Sequence, residues 1–158
     1  MKLIKAVILC LAALTAVPVM AQEKQDDQNM QILLEKVKAD KKLVVAANME
    51  LTEAEGKAFW PIYEAYQKDL QGINERLGKA IVAYADAYNK KALTDAQAKQ
   101  LTTEVLAIDQ DEVTLRKTYA GRLERAIPAM KAARYLQIEN KIRAAIRYQL
   151  AAGIPLVE

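Results

Sequence analysis

From Phe59 to Ala87 an apolar or small side chain recurs in alternating steps of four and three: Phe59, Tyr63, Tyr66, Leu70, Ile73, Leu77, Ala80, Tyr84 and Ala87. A 3.5-residue period held over four heptads draws one stripe along a helix and suits coiled-coil-like packing against neighbouring helices. Unbroken over 53–89, such a helix is about 55 Å long. The rest of the chain has to fold around it.

Three more helical segments are predicted. The first covers about 31–47, with Ile32, Leu33, Val37 and Leu43–Val45 apolar and Asn48 at its end. Another covers about 95–127 and carries Leu101, Val105, Ile108, Leu115 and Tyr119, with Glu112 at the stripe position between Ile108 and Leu115. The last runs from Pro128 to about Ala152 on Leu136, Ile138, Ile142, Ile146 and Leu150, stopped by Gly153 and Pro155. Ala, Leu, Lys, Gln and Glu dominate, and 5 Gly and 4 Pro are few of the breakers that a sheet needs at its turns. The expectation is an all-α fold of about four long antiparallel helices in an elongated, hairpin-like bundle. Pro61 should kink or break the long helix near 57–60. Long helices in so short a chain bury little, and their exposed stripes invite a partner; a homodimer is the simplest cover.

The helix starts share a motif. LTEAE at 51–55 and LTDAQ at 93–97 both open Leu-Thr and close on Glu or Gln. Thr52 and Thr94 are good N-caps, and Glu55 and Gln97, three residues on, can reach back to complete a capping box. Leu51 and Leu93 can staple the first turn. A looser third copy, IPAMKAARYL at 127–136, puts Pro128 at the first helical position, where a missing N–H costs nothing. Leu51 to Phe59, Leu93 to Leu101 and Ile127 to Tyr135 are each eight residues apart, so an internal helical repeat and independent capping both fit.

Before the helices comes an export signal. Lys2 and Lys5 precede an apolar run from Ala6 to Val17, and Val19-Met20-Ala21 precedes the polar Gln22. This reads as a signal peptide over 1–21 cleaved after Ala21; the run is too short for comfortable spanning of a bilayer. Cys10 lies inside the apolar region rather than after it, against a lipoprotein. A polar leader over 22–30 and a single helical domain over 31–158 complete the organisation. The expected product is soluble and periplasmic, without stable membrane insertion. Loss of Lys2 and Lys5 takes the net charge from +3 to +1, so overall basicity does not argue for nucleic acid.

The chain has no His and no Ser, and its one Cys leaves with the signal. Serine and cysteine nucleophiles, imidazole bases and thiolate or imidazole metal sites are thereby excluded. No enzymatic activity, cofactor or metal is expected. The acidic run DQDE at 109–112 has oxygen ligands, but consecutive helix residues diverge and no glycine turn accompanies them.

Two further features admit two readings each. The segment FWPIYEAY at 59–66 is either core packing around a proline or a binding surface; packing is favoured, with Trp60 off the stripe and the more exposed member. Between Asp95 and Leu115 the net charge is −4, and between Arg116 and Arg147 it is +7. Such a split can steer an acidic partner or pair one protomer with another, or be a solvated face.

Leu93-Thr94-x-x-Gln97 matches, and Leu51-Thr52-x-x-Glu55 nearly matches, the LTXXQ motif of the Spy/CpxP family of periplasmic stress-response proteins, and the chain resembles that family over roughly 35–150. The resemblance implies a long-helix hairpin that dimerises into a cradle. It also implies an ATP-independent chaperone, or a modulator of an envelope stress sensor, that takes partly folded proteins on a concave apolar and basic face. Phe59, Trp60, Tyr63, Arg122, Arg134, Arg143 and Arg147 are the candidates for that face. Glu55 in place of Gln departs from the motif, though capping tolerates it. The absence of His and mature Cys argues against carrying over the metal role of zinc- and nickel-sensing relatives. The alternative is a dedicated adaptor for one envelope sensor or complex.

Overall fold

The computed structural model describes residues 40–157. The expected signal peptide, the leader and the beginning of the first helix lie outside the described residues. From Val44 onward the chain forms one compact unit. Helix α1 covers 40–49, α2 Glu53–Asn89, α3 Asp95–Ala126 and α4 Ala129–Gly153. Among the described residues there is no strand, and the fold is all-α.

The long helices are antiparallel in sequence order. Tyr66 meets Tyr119 and Arg76 meets Glu104 and Asp111, so α3 runs back along α2. Arg143 and Arg147 meet Glu112 and Asp109, so α4 runs back along α3. α4 therefore lies parallel to α2, and Phe59 near the start of one touches Tyr135 near the start of the other.

The joints follow local chemistry. α1 runs to Met49 rather than ending at Asn48, whose side-chain amide donates back to the Val44 carbonyl at 2.7 Å. Glu50 makes the turn with φ 48°. After α2 the N–H of Lys91 bonds the Tyr88 carbonyl and that of Ala92 bonds the Ala87 carbonyl, both at 2.9 Å. This is a Schellman ending, with Lys91 at φ 51° where glycine is usual. α3 stops because Ile127 precedes proline and is driven into extended backbone, φ −139° and ψ 163°. Pro128 is the N-cap of α4 rather than its first helical residue, with ψ 138° and its carbonyl accepting from Lys131 and Ala132. At the far end Gly153 does not turn left-handed; Ile154 is extended before Pro155, so the proline ends the helix.

Pro61 does not break α2, which continues through it. Its side chain lies on the exposed face, where the carbonyl that loses its N–H partner can bond water.

The apolar core sits at one end. Val45 and Met49 from α1, Phe59, Tyr63 and Tyr66 from α2, Tyr119 and Leu123 from α3, Ile127, and Ala132 and Tyr135 from α4 form one cluster. Its aromatic rings meet edge to face: Phe59 and Tyr135 at 5.1 Å, Tyr66 and Tyr119 at 5.3 Å, Tyr66 and Tyr135 at 6.0 Å between centroids. Farther along α2 the stripe thins. Leu70, Ile73, Leu77, Tyr84 and Ala87 are half-buried and Ala80 is buried. The heptad pattern is thus a full core seam for only its first two turns.

Candidate functional site

Both LTxx(E/Q) motifs are complete capping boxes. The Glu55 N–H donates to Thr52 Oγ1 at 3.3 Å and the Thr52 N–H to Glu55 Oε2 at 2.8 Å. The Gln97 N–H donates to Thr94 Oγ1 at 3.3 Å and the Thr94 N–H to Gln97 Oε1 at 3.0 Å. Leu51 packs against the core cluster; Leu93 is half-buried.

The boxes differ in one respect. Lys131 Nζ donates to Glu55 Oε2 at 2.6 Å and to the Glu50 carbonyl at 2.8 Å. The first box is therefore bolted to α4, and Glu rather than Gln at 55 supplies the charge. The Lys131 hydrogen bond, with the Thr52 N–H second, holds the Glu55 carboxyl below the ordinary glutamate value.

The seven residues expected on one concave face do not share one. Phe59 and Tyr63 are buried in the cluster, where Phe59 packs on Trp60 and Tyr135. The packing reading of FWPIYEAY therefore holds, and neither ring reaches a client without opening the fold. Trp60 is half-buried and flanks the cluster. Burial, with Glu139 and then Glu64 nearby, pushes the Tyr63 hydroxyl up to about 12.

Arg122 lies over the Tyr119 ring, 4.5 Å from its centroid, with its side chain exposed. The Tyr119 hydroxyl donates to Asp69 at 2.6 Å. Arg134 is exposed and meets Glu50 at 3.4 Å. Arg143 and Arg147 turn inward instead. Arg147 donates to Glu112 Oε2 at 3.0 Å and to Asp109, and Arg143 Nε stands 3.3 Å from Glu112 Oε1.

This inward turn reveals a charged layer that sequence reasoning missed. Glu112 is 6% exposed and Glu139 4% exposed. Glu112 is held by the two arginines. Glu139 accepts from Gln67 Nε2 at 2.8 Å, and the same amide donates to the Tyr135 hydroxyl at 3.2 Å. Arg76 bridges Glu104 and Asp111 one layer further on. The acidic and basic blocks of the sequence thus meet within one chain. The carboxylates of 109–112 are taken up in ion pairs, Asp109 and Glu112 with Arg147 and Asp111 with Arg76, and among the described residues no group of three or more His, Cys, Asp or Glu is placed to hold a metal ion. The available signal was Glu112 on an apolar stripe together with Glu139, Arg143 and Arg147 at four-residue spacing.

On the outside, α4 carries Met130, Arg134, Lys141 and Tyr148, separated by four, seven and seven residues and so aligned along one side of the helix. Met130 is 84% exposed and Tyr148 77%. Open grooves also lie on the surface of the described residues, two of them of note. One, of about 590 Å³, lies between the end of α1 and the start of α2, lined by Leu51, Gly56, Trp60 and Pro61 among others. The other, of about 560 Å³, lies between α2 and α3 beside Ala80, Ala96 and Leu101, with Arg76, Lys79, Lys99 and Glu104 at its edges.

Fold and surface together define an all-α helical-bundle protein with an outer face of mixed apolar and basic groups. No helix among the described residues is long and apolar enough to cross a membrane. No family model matches the chain, and no curated protein and no solved structure is found similar to it.

Proposed function

We propose that the protein is an exported, Spy/CpxP-like chaperone that works without ATP, or a modulator of envelope stress of the same kind, and that it binds partly unfolded proteins as a homodimer. The observation that carries this reading is the outer stripe of α4. Met130 and Tyr148 stand almost fully in solvent, and Arg134 and Lys141 lie between them. Apolar groups interspersed with cations suit weak, reversible contact with exposed apolar segments that carry acidic neighbours. The two complete capping boxes opening long antiparallel helices support the family reading as well. The client face is accordingly assigned to α4, with Arg134 retained from the sequence and Phe59 and Tyr63 removed.

The test is suppression of aggregation by purified residues 22–158, without nucleotide, on two unrelated unfolding clients. Suppression of both near stoichiometric amounts, weakened by a double Met130→Ser, Tyr148→Ser change, is the expected result. A dedicated adaptor is the second reading, favoured by the groove beside Trp60. It predicts suppression of neither client and one saturable partner from the envelope.

A further inference from the structure

We infer that α4 beyond Glu139 is an arm latched electrostatically to α3, able to open while the aromatic end of the bundle stays closed. Three observations converge on it. The apolar cluster takes Ala132 and Tyr135 from α4 with Leu136 and Ile138 packed against it, all before Glu139, and among the described residues no side chain of α4 after Glu139 is buried. Its apolar groups there give little hold: Ile146 is 49% exposed, and Ile142 and Leu150 are only half-buried. What fastens this stretch is charge, namely Arg147 on Asp109 and Glu112 and Arg143 on Glu112, with one hydrogen bond at the tip from the Tyr84 hydroxyl to the Pro155 carbonyl.

The latch is also imperfectly satisfied. Arg143 Nε faces Glu112 at 3.3 Å without hydrogen-bond geometry, and Arg116 Nε, from the neighbouring turn of α3, has no partner. Apolar burial resists salt, whereas ion pairs with partly exposed partners are screened. Arg147, Arg143 and Asp109 are each a third or more exposed, so salt reaches them. A segment with few buried apolar contacts is where local opening is least costly. Glu139 marks the hinge, because Gln67 of α2 still holds it and Tyr135 is fully inside the core.

Opening frees Arg143 and Arg147 beside Ile142 and Ile146, and it uncovers the Asp109 and Glu112 side of α3. The two arginines that the closed bundle withholds would then become available on the side of α4 opposite its outer stripe. That consequence rests on the proposed binding function. The latch itself does not, and hydrogen exchange reads it without any client.

The experiment is amide hydrogen exchange on the whole chain at about 0.05 M and about 1 M salt, where the screening length falls from well over 10 Å to about 3 Å. The expected result is exchange over 141–153 accelerated about tenfold by salt while 129–138 is unchanged. Arg147→Gln should open the arm to a similar extent at low salt, and Ile146→Ala, one residue away, should not. Exchange of α4 as one unit, or an arm indifferent to salt, would overturn the inference. So would equal opening by Ile146→Ala, since apolar packing would then be the fastening. Should Arg147→Gln fail to fold, the salt comparison on the unaltered chain still decides.

Discussion

Lys131 in the first turn of α4 donates to Glu55 Oε2 in the first turn of α2 at 2.6 Å, and through that bond a local capping motif becomes a tertiary clamp. Glu55→Gln should keep the box, as Gln97 does in α3, and lose the clamp. Its melting temperature should fall at pH 7 relative to the unaltered chain. Because the folded carboxyl is held below its ordinary value, its contribution is complete above the unfolded glutamate value of about 4.3 and disappears as pH falls through the folded one. The gap between the two melting temperatures should therefore narrow as pH falls below that unfolded value. A gap independent of pH would show that the charge is not what matters.

Lys91 holds φ 51° at the end of α2, a conformation that glycine adopts without Cβ strain. Lys91→Gly should stabilise the fold by about 0.5–1 kcal/mol, the relief of strain exceeding the extra chain entropy of glycine. Urea unfolding would register this as a higher midpoint at unchanged slope.

By apolar pattern alone Ile146 outranks Arg147 in α4, and the structure reverses that order. Arg147→Ala leaves Glu112 buried with only the poorly aligned Arg143 and should cost about 1–2 kcal/mol, a figure reduced for the partial exposure of the arginine. Ile146→Ala, half exposed, should stay within about 0.5 kcal/mol. Parallel urea titrations of the two variants would rank them.

Phe59→Ala should be among the most damaging single changes, at about 3–5 kcal/mol, because the ring lies fully inside the cluster between Trp60, Tyr63 and Tyr135. An exposed client-binding ring would show loss of binding without loss of stability. Thermal unfolding of this variant separates the two.

Burial raises the hydroxyls of Tyr63, Tyr66 and Tyr135, the first of them to about 12. The folded state keeps these protons where the unfolded state releases them, so stability should decline as pH climbs above the ordinary tyrosine value of about 10. Tyrosine absorbance should show a cooperative step that coincides with loss of helical circular dichroism. Smooth titration of every ring while the helices persist would contradict the burial.

The helix starts were legible because capping is a bargain between residues three apart. Thr52 with Glu55 and Thr94 with Gln97 form their boxes whatever else the chain does. The predicted start near 53, end near 89 and restart at 95 accordingly coincide with α2 and α3. Composition likewise suffices for an all-α fold, since good helix formers with few breakers leave the backbone little else to satisfy it.

The inward faces were another matter. In α4 the pattern pointed to Leu136, Ile138, Ile142, Ile146 and Leu150, whereas Ala132, Tyr135 and Glu139 are the buried residues. Phe59 and Tyr135, each eight residues into its motif copy, meet in the core; Leu101, at the same place in the second copy, lines an open groove.

What the sequence determined by itself is where helices begin and end, because capping hydrogen bonds and prolines act over a few residues. What only the tertiary structure decided is which faces turn inward and which charges pair. Glu112 is tolerable inside because Arg143 and Arg147, more than thirty residues away, arrive on the antiparallel α4 to meet it. A charge enters a low-dielectric interior only with a partner in place, and that partner is set by the packing of whole helices rather than by neighbours in the chain.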